Sequence, residues 1–324
     1  MAKNAFITGA SGFIGSHLTN YLLDKKWNVR ILLHKRGIPR EKECDSIQGD
    51  IRDVHSFKHA FKGIDVVFHL AAALGASLIN PEEFLSINAS GTRNVLKAAE
   101  EAGVKKIIHF SSAGVIGSVK ENQVASEDYP LNPIDIYDQT KLEGEQIALD
   151  FSKKGLDVTI IRPGWAYGPG DSRTFKLIKA IVEKKFILVT KGKKWQTPVY
   201  INDLISGIIL TEEKGRKGEI YNLTGKEVLP VKDIVQTIAS SAGRKLPPFY
   251  LPLFPVKIAA WIMGKVFKLI KKEAPLNMSK LGFFIHPKPL SIHKAQKELG
   301  YHPETSFKEG MRTTIEWYKK NGWI

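Results

Sequence analysis

Cysteine is almost absent from this chain. Cys44 stands alone among 324 residues, so no disulfide can form within it and a disulfide-stapled secreted scaffold is excluded. The first strand candidate begins a few residues after Met1 with no leader pattern ahead of it, so a cytoplasmic location is expected. No uninterrupted apolar run approaches the ~20 residues of a membrane span. The nine histidines are dispersed, and no cluster of His, Cys and acidic residues has ligand spacing, so no metal is expected. Acid is also scarce: 33 Asp and Glu face 48 Lys and Arg, a formal net charge of +15. Such an excess can attract phosphorylated substrates, anionic lipid or nucleic acid. The lysines are scattered as on a solvated surface and no nucleic-acid module is recognisable, so no nucleic-acid partner is expected. Internal repeats and low-complexity tracts are lacking as well.

The strongest signal present is a glycine-rich turn. Ala5 to Thr8 reads as a buried strand and Phe13 to Leu23 as a helix with apolar residues at helical spacing. Between them lies Gly9-Ala10-Ser11-Gly12-Phe13-Ile14-Gly15. Gly9 permits a sharp turn at the strand end, Gly12 lets backbone approach a pyrophosphate, and Gly15 lets the helix pack closely on the sheet. The first N–H groups of that helix then face the phosphates. The spacing is Gly-x-x-Gly-x-x-Gly, a departure from Gly-x-Gly-x-x-Gly. Ser11, Phe13 and Ile14 belong to the same cofactor-binding turn.

Further strands continue the pattern. Val29 to Leu33 ends at His34-Lys35-Arg36, where an acid would bind a ribose 2′-OH but cations suit a 2′-phosphate. NADP is therefore expected over NAD, with NAD as the alternative. Asp50 is placed to hydrogen-bond the adenine and Ile51 to cover its face. Asp65 to Leu70 is a buried strand ending in Ala71-Ala72, small enough for a cofactor to pass, and His69 within it reads as a hydrogen-bonded core residue. Lys106 to Phe110 ends at Ser111-Ser112, and Asp157 to Ile161 ends at Arg162-Pro163. Strands alternating with helices predict an α/β fold: a Rossmann-type doubly wound parallel sheet, with ligands at its carboxyl edge. A smaller, partly interleaved α+β substrate domain is expected beside it. The expected division is 1–165 plus 199–224 for the dinucleotide-binding domain and 166–198 plus 225–324 for the substrate domain. Val199 to Thr211 and Glu219 to Leu223 read as a return to the sheet, and Phe307 to Lys320 as a closing amphipathic helix.

On a helix from about Ile136 to Lys154, Tyr137 and Lys141 are i,i+4 neighbours on one face. A tyrosine near pKa 10 is a poor base at neutral pH, and a nearby ammonium favours its phenolate. Lys141 can also hydrogen-bond a nicotinamide ribose. Ser112 can hold a substrate oxygen against Tyr137, which donates a proton in reduction and accepts one in oxidation.

With these pieces the chain resembles the extended short-chain dehydrogenases/reductases, the NAD(P)-dependent epimerase/dehydratase superfamily. The matching stretches are TGASGFIGSHL from Thr8, VVFHLAA from Val66, NASGTRNVLKAA from Asn88, FSSAGVIG from Phe110 and YDQTKLEGEQ from Tyr137. IIRPGWAYGPGD from Ile160, VYINDL from Val199, YNLTG from Tyr221 and KAQKELGYHPETSFKEGM from Lys294 follow in family order. The resemblance implies catalytic Ser112, Tyr137 and Lys141. It implies cofactor contacts at Leu70, Ala71 and Ala72, at Ser111, and at Pro163, Gly164, Trp165 and Ala166, besides Tyr137 and Lys141 themselves. It also implies a homodimer built on helices around Asn88–Ala102 and Ile136–Lys154. Two departures matter. Family dehydratases carry an Asp-Glu pair where this chain has Ala113-Gly114, so dehydration of a nucleotide sugar is not expected. Ile116 also stands where many sugar-nucleotide members have tyrosine.

The segment 250–272 adds a feature of its own. Lys257, Lys265, Lys268 and Lys272 fall near one stripe of a helix beginning at Val256, with Ile258, Ile262, Phe267, Leu269 and Ile270 largely elsewhere. Its apolar face suits the core of the smaller domain, a lid over an apolar substrate, or peripheral contact with a membrane. Three functions follow. The first is an oxidoreductase interconverting a secondary alcohol and a ketone on a fairly apolar small-molecule substrate. The second is a nucleotide-sugar epimerase with tightly bound NAD, for which Arg173 and Lys176 are available to a diphosphate. The third is a cofactor-bound assembly protein without turnover, against which the intact Ser112, Tyr137 and Lys141 argue.

Overall fold

The computed structural model describes residues 2–38, 40–74, 80–270 and 272–324. Seven strands form one parallel sheet: β1 (Asn4–Thr8), β2 (Asn28–Leu33), β3 (Asp45–Gln48), β4 (Val66–His69), β5 (Lys106–Phe110), β6 (Val158–Pro163) and, returning late, Ile220–Leu223. Among the short strands that follow β6, β7 (Trp165–Tyr167) and β8 (Pro198–Tyr200) pair with each other in parallel. The late strand is therefore β9, and the sheet order is β9-β6-β5-β4-β1-β2-β3. The chain runs outward from β1 through β2 to β3, then crosses to β4 on the other side of β1. That reversal opens a crevice beyond the carboxyl ends of β1 and β4, the place where such sheets bind ligands.

Apart from the exposed edge strand β3, these strands are rich in apolar residues because both faces of the sheet are covered. Phe6 and Ile7 are both fully buried, yet they enter different clusters, since successive side chains point to opposite faces. On the Ile7 face lie α1 (Phe13–Asp24) and α6 (Ile201–Lys214). On the Phe6 face a short α2 (Pro81–Leu85) runs through a π-helical turn (Ser86–Ser90) into α3 (Gly91–Glu101), beside α4 (Ile136–Lys153). The expected return to the sheet is seen in α6 and in the pairing of β9 with β6.

The remaining helices are α5 (Ser172–Val182), α7 (Val231–Ser241), α8 (Leu253–Leu269), α9 (Met278–Ile285), α10 (His293–Leu299) and α11 (Phe307–Lys320). Helix α11 has the predicted limits. Its Tyr318 donates to the Asp171 carbonyl at 2.6 Å, just before α5, and its ring stacks on Trp323. Helix α8 begins at Leu253, three residues before the predicted start. Pro255 falls in its first turn, where a helical N–H has no partner to lose. Only Val256 and Ala260 of α8 are buried; with Val189 and Leu281 they form a small core against α9. Lys271 lies outside the described residues. Among the described residues no helix is long and apolar enough to cross a membrane, and no three metal-ligating side chains stand together.

Candidate active site

The glycine turn has the geometry its sterics require. Gly9 adopts φ +77°, and a Cβ there would lie 2.7 Å from the Ala71 nitrogen at the end of β4. A Cβ on Gly15 would lie 2.2 Å from the Gly9 carbonyl oxygen. Helix α1 and the two central strands thus meet at contact distance only because both positions lack side chains. Gly12 is the N-cap and offers no side-chain cap, which leaves first-turn N–H groups free for an anion. Ser11 and Gly12 are exposed, Phe13 and Ile14 half-buried. Leu70, Ala71 and Ala72 line the same crevice, half-buried, with the Ala71 N–H donating to Thr8 Oγ1 at 3.2 Å.

His69 beneath them is the core residue expected. Thr92 gives its hydroxyl proton to the Asn88 carbonyl at 2.7 Å, so it accepts from His69 Nε2 at 3.0 Å. Nδ1 is then left to accept from Thr8 Oγ1 at 2.7 Å. Burial pushes the imidazole pKa down to about 3, with Lys141 adding to the fall, so His69 is neutral at all working pH.

At the end of β2, His34, Lys35 and Arg36 are all exposed. Among the described residues Lys35 and Arg36 have no ion-pair partner, whereas His34 Nε2 lies 3.3 Å from Asp50 Oδ2. The Asp50 carboxylate, expected at the adenine, is held mainly by Arg52, at 2.5 Å from Nη2, and its pKa is lowered accordingly. Ile51 turns inward against Gly91 and is only 6 % exposed, so it backs that corner of the crevice.

The catalytic candidates converge at the end of β5. Asp135 caps α4 by accepting from the Asp138 N–H at 2.9 Å, which places Tyr137 in the first turn. Lys141 and Glu145 follow on the same face, both buried. Arg162 of β6 grips Glu145 with Nε to Oε2 at 3.0 Å and Nη2 to Oε1 at 2.6 Å, while Ser111 Oγ donates to Oε2 at 2.5 Å. Arg162 Nη1 also donates to the Glu127 carbonyl at 2.9 Å. Asn88, in the π turn, accepts from the Ala73 N–H at 2.7 Å and donates to Thr140 Oγ1 at 3.0 Å, tying α4 to the end of β4. None of Glu145, Arg162 and Asn88 stands out by sequence spacing alone, although Glu145 continues the Tyr137–Lys141 face by one more turn.

Burial raises the Tyr137 phenol above its ordinary value, with Asp138 and Asp135 adding to the rise; Arg173 and the facing Ser112 hydroxyl oppose it. Lys141 lies one turn further along α4. Its ammonium donates to the Phe110 carbonyl, and burial lowers its pKa to about 8 despite Glu145. The Tyr137 phenol keeps its proton at neutral pH. Ser112 Oγ accepts from the Gly114 N–H at 2.9 Å, which fixes its side chain.

Beyond Tyr137 the cleft is bordered by Pro163, Gly164, Trp165 and Ala166, of which Ala166 is buried. Trp165 packs edge-on against Phe283 of α9 at 4.8 Å, and Ser279 of α9 donates to Asp135 Oδ2 at 3.4 Å. An aromatic pair from β7 and α9 thus lies near the first turn of α4, which carries Tyr137.

The model of the NAD dependent epimerase/dehydratase family matches residues 5–224. A 4-hydroxy-2-methyl-3-oxo-4-farnesyl-3,4-dihydroquinoline-1-oxide ketoreductase of Stigmatella aurantiaca is 26% identical, over 94% of this chain and 94% of that protein. The human sterol-4-alpha-carboxylate 3-dehydrogenase, decarboxylating, is 26% identical over 98% of this chain and 89% of its own. An N-acetyl-alpha-D-glucosaminyl-diphospho-ditrans,octacis-undecaprenol 4-epimerase of Escherichia coli O157:H7 is 27% identical, over 98% and 96%. Among solved structures, MoeE5 in complex with UDP-glucuronic acid and NAD superposes with a TM-score of 0.78 at 26% identity, covering 98% of this chain and 99% of that one. Since that family model spans well over half of the chain, the chain belongs to the NAD dependent epimerase/dehydratase family, whose relatives are dehydrogenases, reductases and epimerases.

Proposed function

We propose that this protein is an NADP-preferring reductase that converts a ketone on a fairly apolar substrate to a secondary alcohol, and runs the reverse oxidation. The observation that carries the reading is a half-buried, protonated Tyr137 facing Ser112 at the carboxyl edge of the sheet, beside a glycine turn shaped for a dinucleotide. The residues fit such a cofactor, since Gly12 caps α1 without a side chain and leaves its first-turn N–H groups free for a pyrophosphate. When bound, the nicotinamide supplies or takes up the hydride. Ser112 holds the substrate carbonyl oxygen by a hydrogen bond, and Tyr137 gives that oxygen a proton as negative charge develops on it. Lys141, fixed behind them by the Phe110 carbonyl and the Glu145–Arg162 pair, keeps a donor aimed at the ribose side of the crevice. Exposed Lys35 and Arg36 supply charge for a 2′-phosphate. The Trp165–Phe283 pair favours an apolar substrate, and relatives act on farnesyl and sterol compounds by name.

A second reading, epimerisation with retained NAD, uses the same three residues. Arg173, close enough to Tyr137 to lower its pKa, favours it by offering a cation to a diphosphate, and one relative is a diphospho-undecaprenol sugar epimerase by name. One experiment addresses both. Turnover of a panel of apolar ketones is measured with NADPH and with NADH, for the wild type and for Tyr137→Phe. The reductase reading expects NADPH oxidation that falls about 10²- to 10⁴-fold in the variant. Activity surviving Tyr137→Phe would remove the assigned proton donor. A purified protein holding NAD that does not exchange with free NADPH would replace the reductase reading by the epimerase one.

A further inference from the structure

Helix α8 leaves most of its apolar side chains uncovered. Phe254, Ile258, Trp261, Ile262, Val266 and Leu269 are all exposed, Phe254 by 75 % and Leu269 by 83 %. At 100° per residue they occupy one continuous half of the helix, opposite Val256 and Ala260, which dock it on α9. Phe249, Tyr250 and Leu251, just before the helix, are exposed too and extend the patch. A face of this kind on a folded domain marks something that covers it.

The charge around the face says what that is. From Ile234 to Lys272 there is no acidic residue, while Lys257 and Lys268 border the apolar half on its Trp261 side, Lys265 lies beside Trp261 within it, and Lys272 follows the end of the helix. The Lys265 ammonium sits over the Trp261 ring, 3.9 Å from its centre, in a cation–π contact. An amphipathic helix with tryptophan and aliphatic residues on one face and lysines flanking them is built to lie in the plane of an anionic membrane. Pairing with a second copy about a two-fold axis would set the same lysine rows against each other without an acid to relieve them. A nucleic acid would suit the lysines and waste the apolar face.

We propose that α8, with the 249–251 stretch before it, docks this protein on the surface of an anionic phospholipid bilayer. The helix lies flat, with its apolar half among the acyl chains and its lysines at the headgroups. It does not span the bilayer. Because α9 links α8 to Asp135 and Trp165, the docked face lies next to the Tyr137 cleft. The proposal concerns the surface and stands independently of which reaction the cleft performs.

The test is sedimentation of the full-length protein with phosphatidylcholine vesicles and with mixed phosphatidylcholine–phosphatidylglycerol vesicles, at low and high salt. Partition onto the anionic vesicles is expected to exceed that onto neutral ones by about tenfold or more and to weaken with salt. A Trp261→Glu/Leu269→Glu variant should lose at least about tenfold of that partition. Its thermal unfolding midpoint should stay within the wild-type range, because both side chains are exposed. Absence of binding to anionic vesicles overturns the proposal. So does a double variant that binds like the wild type, which would place binding on the scattered lysines. If light scattering shows that the variant instead loses self-association, the face belongs to a second copy and the lipid assignment is wrong.

Discussion

Asp138 shows how a single residue can take over space left by another. A Cβ on Gly114 would lie 1.7 Å from Asp138 Oδ1, so the carboxylate occupies the room a side chain at 114 would need. Burial raises its pKa from 3.8 to about 6, and Lys288, 3.6 Å away, only partly offsets this. The sign of the linkage follows: between about pH 4 and 6 the folded chain keeps a proton that the unfolded chain releases, so Asp138 lowers stability as pH rises through that window. Asp138→Asn should therefore flatten the curve there and unfold at a higher temperature than the wild type at pH 7. Thermal melts from pH 4 to 7 check this; parallel curves for the two proteins would show that Asp138 is not the titrating group.

At the scale of elements, α4 is a ruler that sets Tyr137, Lys141 and Glu145 one turn apart, and the Glu145–Arg162 pair fixes its height on the sheet. Both partners are almost wholly buried. Breaking the pair on one side leaves an uncompensated buried charge, so Arg162→Met should cost about 3–5 kcal/mol in denaturant unfolding. Glu145→Leu/Arg162→Met should regain most of that stability, because an apolar pair of similar volume removes the charge altogether. Turnover should stay low in the double variant, since Ser111 and the helix face that carries Tyr137 lose their anchor. A cost below about 1 kcal/mol for Arg162→Met would make the pair incidental.

For the whole molecule, the excess of 15 positive charges repels itself in the compact state. Raising salt to about 0.15 M shortens the screening length to ~8 Å and should raise the unfolding midpoint. A midpoint that falls with salt would mean that the exposed ion pairs, such as Arg40 with Asp24 and Glu43, outweigh the repulsion. The same excess is uneven. It is dense in the acid-free stretch around α8, beside an exposed apolar face.

Much of this was legible in the residues. Near-continuous apolar runs such as Phe6–Ile7 and Val66–Phe68 announce strands covered on both faces, and the alternation with helices dictates parallel order. Gly9 and Gly15 announce the cradle because backbone contact excludes a side chain whatever surrounds it, and the Tyr137–Lys141 spacing is a property of the helix alone. These are local facts, and the sequence by itself determines them. The tertiary structure decided the rest, because it depends on partners distant in the chain. Lys141 found the Phe110 carbonyl, Glu145 found Arg162, and Asp138 filled the gap at Gly114. Periodicity placed the apolar residues of α8 on one face, but periodicity cannot say whether another surface covers that face. Only the packing of α9 against its opposite side left it bare.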